Sequence, residues 1–224
     1  MIPKAIFFDA VGTLFHLREP VGKTYADIAA EHGVTVDAEA LNKGFRAAWK
    51  SLSVPVHAEG TVPEDDDRSW WEELVRRTFQ NASSTAPEMN RMTLIFDDLY
   101  EHYAYAAAWQ LFEDTVPTLE QLRSNGCRLL VLSNFDKRLR NILEGLEIGH
   151  FFDSVIVSSE VGAWKPDPRM FRAALQACGL TPEECLHVGD DVRCDEEGAK
   201  AMGIPSLLVK RPEVPLNALL SAMD

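Results

Sequence analysis

Four polar side chains of types that can carry out phosphoryl transfer accompany apolar, strand-like segments of this sequence. Asp9 follows "AIFF", Ser133 ends "CRLLVLS", Asp190 follows "CLHVG", and Lys165 lies between the last two segments. A carboxylate can act as a nucleophile or bind a divalent cation, and hydroxyl and ammonium groups can stabilise phosphoryl oxygens. Because ligands bind at the carboxyl ends of parallel strands, this pattern predicts a single site.

The segments that must position these groups predict an α/β fold. Continuous apolar runs, rather than alternating ones, indicate strands that are buried on both faces of a parallel sheet. These runs lie at residues 5–9, 127–134, 154–160, 185–191 and 204–209. Helix-period segments at 117–125 and 167–178 lie between them, and "TPEE" at 181–184 has the residues of a helix capping box. We therefore expect a Rossmann-like, doubly wound parallel sheet.

Residues 17–112 have a different pattern. Four segments there have the apolar spacing of helices, at residues 21–33, 37–52, 68–82 and 89–109. Loops separate them, among them "SSTAP" at 83–87 and a longer loop whose acidic run, "EDDD" at 64–67, is expected to be solvated. The prediction is a helical module of residues 17–112 inserted into a core formed by residues 1–16 and 113–224.

The composition limits the partners and the compartment. The 224 residues carry a formal net charge of −13, which disfavours nucleic acid as a partner because phosphate backbones are bound by Lys and Arg. The N-terminal apolar run is shorter than that of a secretory signal, and no apolar run is as long as a membrane span. The four cysteines form no CxxC pair, so we expect reduced thiols in a cytoplasmic protein without a membrane partner. The sequence indicates no oligomeric state.

Four motifs, taken in order, are similar to those of the haloacid dehalogenase (HAD) superfamily. They are "DAVGT", "LSN", "KPDPRMF" and "VGDDVRCD". The helical insertion after the first motif resembles the C1 cap of that superfamily. The segments "REPVGKTYADIAAEHG", "SNFDKRL" and "GAWKPDPRMF" also resemble a subgroup of uncharacterised, phosphatase-like HAD hydrolases known by the name rhythmically expressed gene product. The resemblance covers essentially the whole chain and implies a hydrolase with a Rossmann-like core and a helical cap.

The resemblance also implies roles for the matching residues. Asp9 would be the nucleophile and would form an aspartyl-phosphate with a small phosphate monoester. Mg²⁺ would be bound by Asp9, the backbone carbonyl of Val11 and Asp190, since this ion prefers oxygen ligands. Ser133 and the backbone N–H of Asn134 would donate hydrogen bonds to the phosphoryl oxygens.

Further residues would support these groups. Lys165 would neutralise charge on the transferred phosphoryl group. Asp195 would hold Lys165 or a metal-bound water, and Asp191 and Thr13 are further candidates for positions just behind the ligands. His187 lies within an apolar run and is expected to be a buried histidine with its hydrogen bonds satisfied rather than a catalytic base.

Val11 departs from the pattern of the family. HAD phosphatases have an acid two residues after the nucleophile, which protonates the leaving group and later activates water, and such help is worth about 10²–10⁴ in rate. Valine can do neither, so we expect low turnover unless the leaving group needs no acid. The polar residues that could replace the acid are His16, Lys23, His57 and Asp136.

Two alternative functions stay open. The 2-haloacid dehalogenases of the same superfamily also lack this acid, so Val11 is compatible with displacement of halide by Asp9. Asp190 argues against that reaction, because those enzymes use no metal and have a smaller polar residue at the same place. The other alternative is a catalytically weak binding or regulatory protein that keeps the pocket, and the four intact polar groups argue against it.

Two adjacent tryptophans are the most unusual feature of the predicted cap. Trp70 and Trp71 could line a substrate pocket, but neighbouring residues of a helix point about 100° apart. At most one of them is therefore expected to face a pocket, and packing in the core is favoured for both.

Overall fold

A five-stranded parallel sheet forms the centre of the molecule in the computed structural model, which describes residues 3–83 and 87–221. Residues 84–86 of the loop predicted at 83–87 lie outside the described residues. The strands are β1 (Ala5–Phe8), β2 (Phe15–Leu17), β3 (Trp109–Leu111), β4 (Arg128–Ser133), β5 (Ser154–Val157), β6 (Cys185–Gly189) and β7 (Ser206–Leu208). Within the described residues the order of the main sheet is β5-β4-β1-β6-β7, and β2 pairs with β3 in a separate antiparallel ribbon.

Helices connect the strands and form a separate group between β2 and β3. Those of the described residues are α1 (Val21–Glu31), α2 (Ala38–Ser51), α3 (Arg68–Ala82), α4 (Met89–His102), α5 (Thr115–Ser124), α6 (Arg138–Gly145), α7 (Ser158–Val161), α8 (Pro168–Cys178), α9 (Gly198–Ala201) and α10 (Ala218–Ser221). Short 3₁₀ turns lie at Ala106–Ala108, Gly149–Phe151 and Pro182–Glu184, and one π-helical turn lies at Val192–Glu197. The capping-box residues predicted at 181–184 therefore frame a single 3₁₀ turn.

Strand β1 occupies the middle of the sheet, with β4 on one side and β6 on the other. Phe8, its last residue, is in register with Val131 of β4 and Val188 of β6. The chain reaches these two strands in opposite directions from β1, so this is the point at which the strand order reverses. In doubly wound sheets the residues that follow the strands at such a point face the ligand crevice.

Both faces of the sheet are buried, as the continuous apolar runs predicted. Ile6 and Phe8 contribute to one apolar cluster and Phe7 to another on the opposite face, because successive side chains of a strand alternate. Helix α8 covers the second face, starts with Pro168 at its first position and ends at Gly179 in the left-handed conformation.

Helices α1 to α4 enclose an apolar cluster of their own, which includes Tyr25, Leu41, Phe79 and Ile95. The first three helices match the predicted segments closely, and α3 coincides with residues 68–82. Within the described residues no helix combines the length and the apolar character that a bilayer crossing requires. The domain boundaries at residues 16/17 and 112/113 stay a prediction.

The fourth predicted helix, over 89–109, is too long. Helix α4 ends at His102, and the chain then forms β3, where Trp109 pairs with Leu17 and Leu111 pairs with Phe15. Trp109 is 4% exposed and packs edge-on against Phe15. Burial of this indole against the core therefore prevails over the helical propensity of the alanine-rich segment.

Candidate active site

Asp9 lies at the middle of the carboxyl edge of the sheet, immediately after β1. Asp9 is 9% exposed, and its Oδ1 accepts hydrogen bonds from Ser133 Oγ at 3.1 Å and from Lys165 Nζ at 2.8 Å. Within residues 3–83 and 87–221 no hydrogen bond reaches the second oxygen, Oδ2. One carboxylate oxygen is thus held by the protein and the other is available to a ligand.

Lys165 joins Asp9 to a second buried acid. Its Nζ also donates to Asp195 Oδ1 at 2.6 Å, and Lys165 is only 2% exposed. Asp195 Oδ1 lies 2.8 Å from His187 Nε2, and its Oδ2 accepts from the backbone N–H of Asp191 at 3.0 Å. Both oxygens of Asp195 are therefore engaged by protein groups, which makes this residue an anchor for the lysine.

The side chain of Asn134 fixes the backbone of Lys165. Asn134 Nδ2 donates to the Lys165 carbonyl at 3.0 Å, and the Lys165 backbone N–H donates to Asn134 Oδ1 at 2.6 Å. The sequence prediction concerned only the backbone N–H of Asn134. The side-chain contact was missed, and the sequence separation of 31 residues contains no signal that would have revealed it.

Three carboxylates converge where a cation could bind. Asp9, Asp190 and Asp195 each offer one oxygen, and these oxygens lie within 4.8 Å of one another. Gly12 allows the approach, since its φ is +88° and a methyl group there would overlap the Asp190 carboxylate. With Asp195 engaged by the protein, Asp9 Oδ2 and Asp190 are the oxygens left for an ion. Oxygen donors of this kind suit Mg²⁺.

Val11, Thr13 and Asp191 were also predicted to lie near the ion, and their observed contacts differ. In the described part of the chain, no hydrogen-bond donor contacts the Val11 carbonyl, and the Val11 side chain packs against the apolar cluster that contains Phe8. Thr13 is fully buried, and its Oγ1 has no partner among the described residues. Asp191 Oδ1 accepts from the Cys194 backbone N–H at 2.6 Å and so caps the following turn. The expected roles of all three near a metal stay predictions.

Burial and neighbouring charges shift the pKa values of the three acids. Burial raises the pKa of Asp9, and Lys165 offsets this only in part. The pKa of Asp190 rises to about 7, first because its carboxylate loses water and then because Asp9 and Asp195 repel its charge. Burial alone would raise the pKa of Asp195, but the charge of Lys165 holds it well below its ordinary value. A cation would relieve the repulsion that disfavours the charged forms of Asp9 and Asp190.

The two basic groups beside these acids respond in opposite ways. Burial alone would lower the pKa of Lys165, but the charges of Asp195 and Asp9 hold it above its ordinary value, so the side chain is an ammonium. Burial lowers the pKa of His187. The expected buried position of His187 is correct, but its hydrogen bonds are not all satisfied, because Nδ1 has no partner among the described residues. Its other nitrogen orients Asp195, a contact that the sequence did not reveal.

The four candidate replacements for the missing acid all have partners of their own. In the described ranges, none of them hydrogen bonds to Asp9, Ser133 or Asp190. The partners are the Leu17 carbonyl for His16, Glu19 and Asp27 for Lys23, Asp67 for His57, and Arg138 for Asp136.

A small apolar cavity of about 90 Å³ lies between helices α1 to α4 and the segment after β4. Trp71, Tyr25, Phe135 and Arg138 are among the residues that line it. Trp71 Nε1 is buried without a partner among the described residues. Trp70 instead packs 4.7 Å from the Trp164 ring. One tryptophan of the pair therefore lines a cavity, whereas packing was favoured for both.

The acidic run at residues 64–67 is not solvated throughout, contrary to expectation. Asp67 is 3% exposed because its carboxylate accepts a hydrogen bond from Trp164 Nε1 at 3.0 Å and lies 3.0 Å from His57 Nε2. Asp66 Oδ1 accepts from Ser159 Oγ at 2.6 Å. The charges had indicated solvent, but tertiary contacts with the core engage both carboxylates.

Comparisons with known proteins agree with the motifs. A family model described as haloacid dehalogenase-like hydrolase matches residues 3–203. The mouse haloacid dehalogenase-like hydrolase domain-containing protein 3 is 40% identical over 215 residues, which cover 96% of this chain and 84% of that protein. The rhythmically expressed gene 2 protein of Drosophila melanogaster is 35% identical over 215 residues, covering 92% of this chain and 82% of that protein. The resemblance predicted from the sequence is confirmed.

Solved structures share the fold. A HAD phosphatase from Thermococcus onnurineus has a TM-score of 0.68 at 24% identity and covers 98% of this chain and 97% of its own. The protein YfnB from Bacillus subtilis, bound to magnesium, has a TM-score of 0.71 at 16% identity, with 100% and 99% covered. The L-2-haloacid dehalogenase from Xanthobacter autotrophicus has a TM-score of 0.64 at 21% identity, with 99% and 84% covered. These neighbours confirm the predicted α/β fold with a Rossmann-like core.

Proposed function

Because the chain belongs to the haloacid dehalogenase-like hydrolase family, we propose that this hydrolase is a Mg²⁺-dependent phosphatase. It cleaves a small phosphate monoester through an aspartyl-phosphate on Asp9. The observation that supports this most strongly is the shared environment of Asp9, which contacts Ser133 and Lys165 through one oxygen and lies beside Asp190. A nucleophile, two electrophilic groups and a second carboxylate are the parts that phosphoryl transfer needs.

Magnesium fits the oxygens that the site offers. Asp9 and Asp190 would hold the ion together with the Val11 carbonyl, and the close approach of Asp190 to Gly12 supports this assignment. When bound, the ion supplies positive charge that stabilises the phosphoryl oxygens as phosphorus is attacked. The magnesium bound to YfnB, a structure with the same fold, adds support.

The protein's own groups perform the steps of the reaction. A carboxylate oxygen of Asp9 forms a bond to phosphorus while the bond from phosphorus to the leaving oxygen breaks. Water then attacks the aspartyl-phosphate, which releases inorganic phosphate and restores Asp9. Ser133 Oγ and the Asn134 backbone N–H donate to the phosphoryl oxygens, and the ammonium of Lys165 offsets their charge.

The valine at position 11 affects how the leaving group departs. Since no acid stands two residues after Asp9, the leaving oxygen takes its proton from solvent or departs as a stable anion, and turnover on alkyl esters is low.

A 2-haloacid dehalogenase is the second candidate function, and Val11 is the observation that favours it. In that reaction Asp9 would displace halide from carbon and water would hydrolyse the resulting ester. The pKa of Asp190 is raised by burial and then by repulsion from Asp9 and Asp195, and that of Asp9 is raised by burial and then by Asp195, so this concentration of negative charge argues for a cation at the site and hence for phosphate.

Phosphate release with and without metal tests the proposal. The purified protein is assayed with a panel of phosphorylated metabolites and p-nitrophenyl phosphate, in Mg²⁺ and in EDTA, beside the variant Asp9→Asn. Release is expected only in Mg²⁺ and only from the unsubstituted protein. Release that survives EDTA or Asp9→Asn contradicts the mechanism, and halide release from 2-chloropropionate in EDTA establishes the dehalogenase. Silence on both panels, with metal still bound, favours a binding or regulatory protein.

The proposal also includes the cellular compartment and the division of the chain into domains. All four cysteines are free thiols, which supports a reducing, cytoplasmic compartment. The separate apolar cluster of α1 to α4 supports the division into a helical cap of residues 17–112 and a catalytic core of residues 1–16 and 113–224. The cap would cover the site and exclude water during the reaction.

A further inference from the structure

The loop between α2 and α3, residues 52–67, contacts the core next to Lys165. We call this segment the cap loop, and we call residues 162–167, which lead from α7 to α8, the lysine loop. Trp164 of the lysine loop donates its Nε1 hydrogen bond to Asp67 Oδ2 at 3.0 Å. Both residues are almost fully buried, Asp67 at 3% and Trp164 at 4% exposure.

Three more contacts join the cap loop to the chain around the lysine loop. A methyl group at Gly162 would overlap the Thr61 carbonyl, so the two backbones lie directly against each other. On one flank, Ser159 Oγ donates to Asp66 Oδ1 at 2.6 Å. On the other flank, Arg169 Nη1 donates to the His57 carbonyl at 3.0 Å.

Asp66 and Asp67 have an unusual backbone conformation, which their side-chain contacts stabilise. Both residues have a positive φ, +58° and +60°, a conformation that residues other than glycine rarely adopt. His57 Nε2 lies 3.0 Å from Asp67 Oδ1 and holds that carboxylate from within the cap loop. The backbone N–H of Lys137 donates to Asp66 Oδ2 at 3.0 Å. The two carboxylates therefore join the cap loop to the core, Asp66 at Ser159 and Lys137 and Asp67 at Trp164.

From this geometry we infer that Asp67 is a positioning residue for Lys165, acting through its hydrogen bond to Trp164. The inference concerns the proposed phosphatase site and rests on the proposed role of Lys165 there. Lys165 is the next residue after Trp164, and Asn134 hydrogen bonds to both its backbone N–H and its carbonyl. When the cap loop is seated, Asp67 and Asn134 together fix the backbone from which the lysine ammonium reaches Asp9.

The inference links cap closure to catalysis. Movement of the cap away from the core would break the bond between Asp67 and Trp164 and leave the lysine loop held only by contacts of the core. Lys165 would then be less well fixed beside Asp9 until the cap returned. A lysine that is fully positioned only under a seated cap favours attack on phosphorus while water is excluded.

Hydrogen–deuterium exchange of the full chain tests the contact without any substrate. The amides of Ala163, Lys165 and Asp167 all donate hydrogen bonds within the core, so their exchange reports on the lysine loop. For Asp67→Ala we expect exchange in a peptide covering residues 162–167 to rise by roughly five- to tenfold, the effect of losing one buried hydrogen bond. Glu64→Ala removes the same charge from an exposed position of the same loop and should leave this exchange unchanged.

Two further variants separate positioning from a general loss of structure. Trp164→Phe removes the donor and part of the indole but keeps an aromatic ring, so it should reproduce the rise in exchange even if Asp67→Ala does not fold. Asp67→Asn keeps an oxygen that can accept from Trp164 and should restore most of the protection. With p-nitrophenyl phosphate and Mg²⁺, kcat should fall by about tenfold in Trp164→Phe while KM changes little, because the lysine acts on charge that develops in the transition state.

Each result has a definite meaning. Unchanged exchange at residues 162–167 in Trp164→Phe overturns the contact, and raised exchange with an unchanged kcat overturns the positioning of Lys165. If the unsubstituted protein releases no phosphate, the proposed function fails, whereas the exchange of the Lys165 amide still decides whether Asp67 holds the lysine loop.

Discussion

Val11 can perform one of the two functions that this turn has in HAD phosphatases, metal binding, but cannot protonate the leaving group. Its carbonyl can serve a metal without any particular side chain, whereas protonation of the leaving group needs an acid at this position. The valine side chain packs against the apolar cluster that contains Phe8 and is still partly exposed. Because the side chain is partly exposed, an acid placed there would not be fully buried.

The variant Val11→Asp should therefore gain turnover. We expect kcat on an alkyl phosphate to rise by about 10²–10⁴, the usual worth of a positioned acid–base group. With p-nitrophenyl phosphate, whose leaving group needs no proton, any gain should be confined to the step in which water attacks the aspartyl-phosphate. Val11→Asn has nearly the same size and no proton to give, so it should show no gain. An alkyl phosphatase rate that does not change in Val11→Asp would indicate that another residue or a water already supplies the proton.

Single residues also show how far sequence reasoning reaches. Asp9, Ser133, Lys165 and Asp190 were predicted to share one site because each follows or accompanies a recognisable segment and belongs to a motif, and their side chains do lie together. The side-chain contact of Asn134 and the contact between His187 and Asp195 were not found. Both depend on how far loops reach across the edge of the sheet, and no spacing in the sequence records that distance.

Among the elements, the turn after β1 has a steric requirement that involves a carboxylate of the candidate site. Gly12 has a φ of +88° and leaves room for the Asp190 carboxylate. Gly126, in the turn before β4, has nearly the same φ of +81° but has no atom within 4 Å of the place where a methyl group would lie. The two glycines therefore separate the effect of backbone strain from the effect of contact with the site.

Gly12→Ala and Gly126→Ala should both lose stability, by about 1–2 kcal/mol each, since both force alanine into the left-handed region. Only Gly12→Ala should also lose Mg²⁺ affinity, because its methyl group displaces Asp190. Urea unfolding of the metal-free proteins measures the first effect, and isothermal titration with MgCl₂ measures the second. Equal Mg²⁺ affinity in the two variants would remove Asp190 from the metal site.

Elements were predictable where a long periodic pattern existed. The five buried strands and the helices α1 to α3 were predicted near their observed positions, because burial on two faces or on one helical stripe leaves a strong pattern. The ribbon of β2 and β3 was missed, since three residues are too few for a pattern and its partner is about 90 residues away. The solvated interpretation of residues 64–67 failed at Asp66 and Asp67 for a related reason, because their partners are in the core, whereas Glu64 and Asp65 are exposed as expected.

At the scale of the whole molecule, a net charge of −13 includes three acids concentrated at one edge of the sheet. Within residues 3–83 and 87–221, Lys165 is the only Lys or Arg that pairs with these acids, and its contacts are with Asp9 and Asp195, so Asp190 keeps its charge only at a cost. With the proposed metal at this site, we expect the folded state to be sensitive to metal and to pH together. Binding of Mg²⁺ to the folded state alone stabilises the molecule by mass action.

The last prediction concerns the melting temperature. At 100 times its Kd, Mg²⁺ should stabilise the protein by about 2.7 kcal/mol, which raises Tm by about 5–10 °C for a chain of this size. Because the pKa of Asp190 in the metal-free protein is about 7, a proton competes with the ion below that pH. At a fixed Mg²⁺ concentration the rise in Tm should therefore be smaller at pH 6 than at pH 8.

Without metal, the Asp190 carboxyl should make the stability of the folded state fall as the pH rises. The folded pKa of Asp190 lies above the ordinary value of 3.8, so the folded state holds an extra proton between these two values, and this contribution to stability falls as pH rises toward 7. Calorimetry in EDTA and in MgCl₂ across pH 5–8 measures both trends, with Asp190→Asn as the control in which both should disappear. A Mg²⁺-induced rise in Tm that persists in Asp190→Asn at every pH would place the ion elsewhere in the molecule, because the carboxylate that brings metal and proton into competition would then be absent.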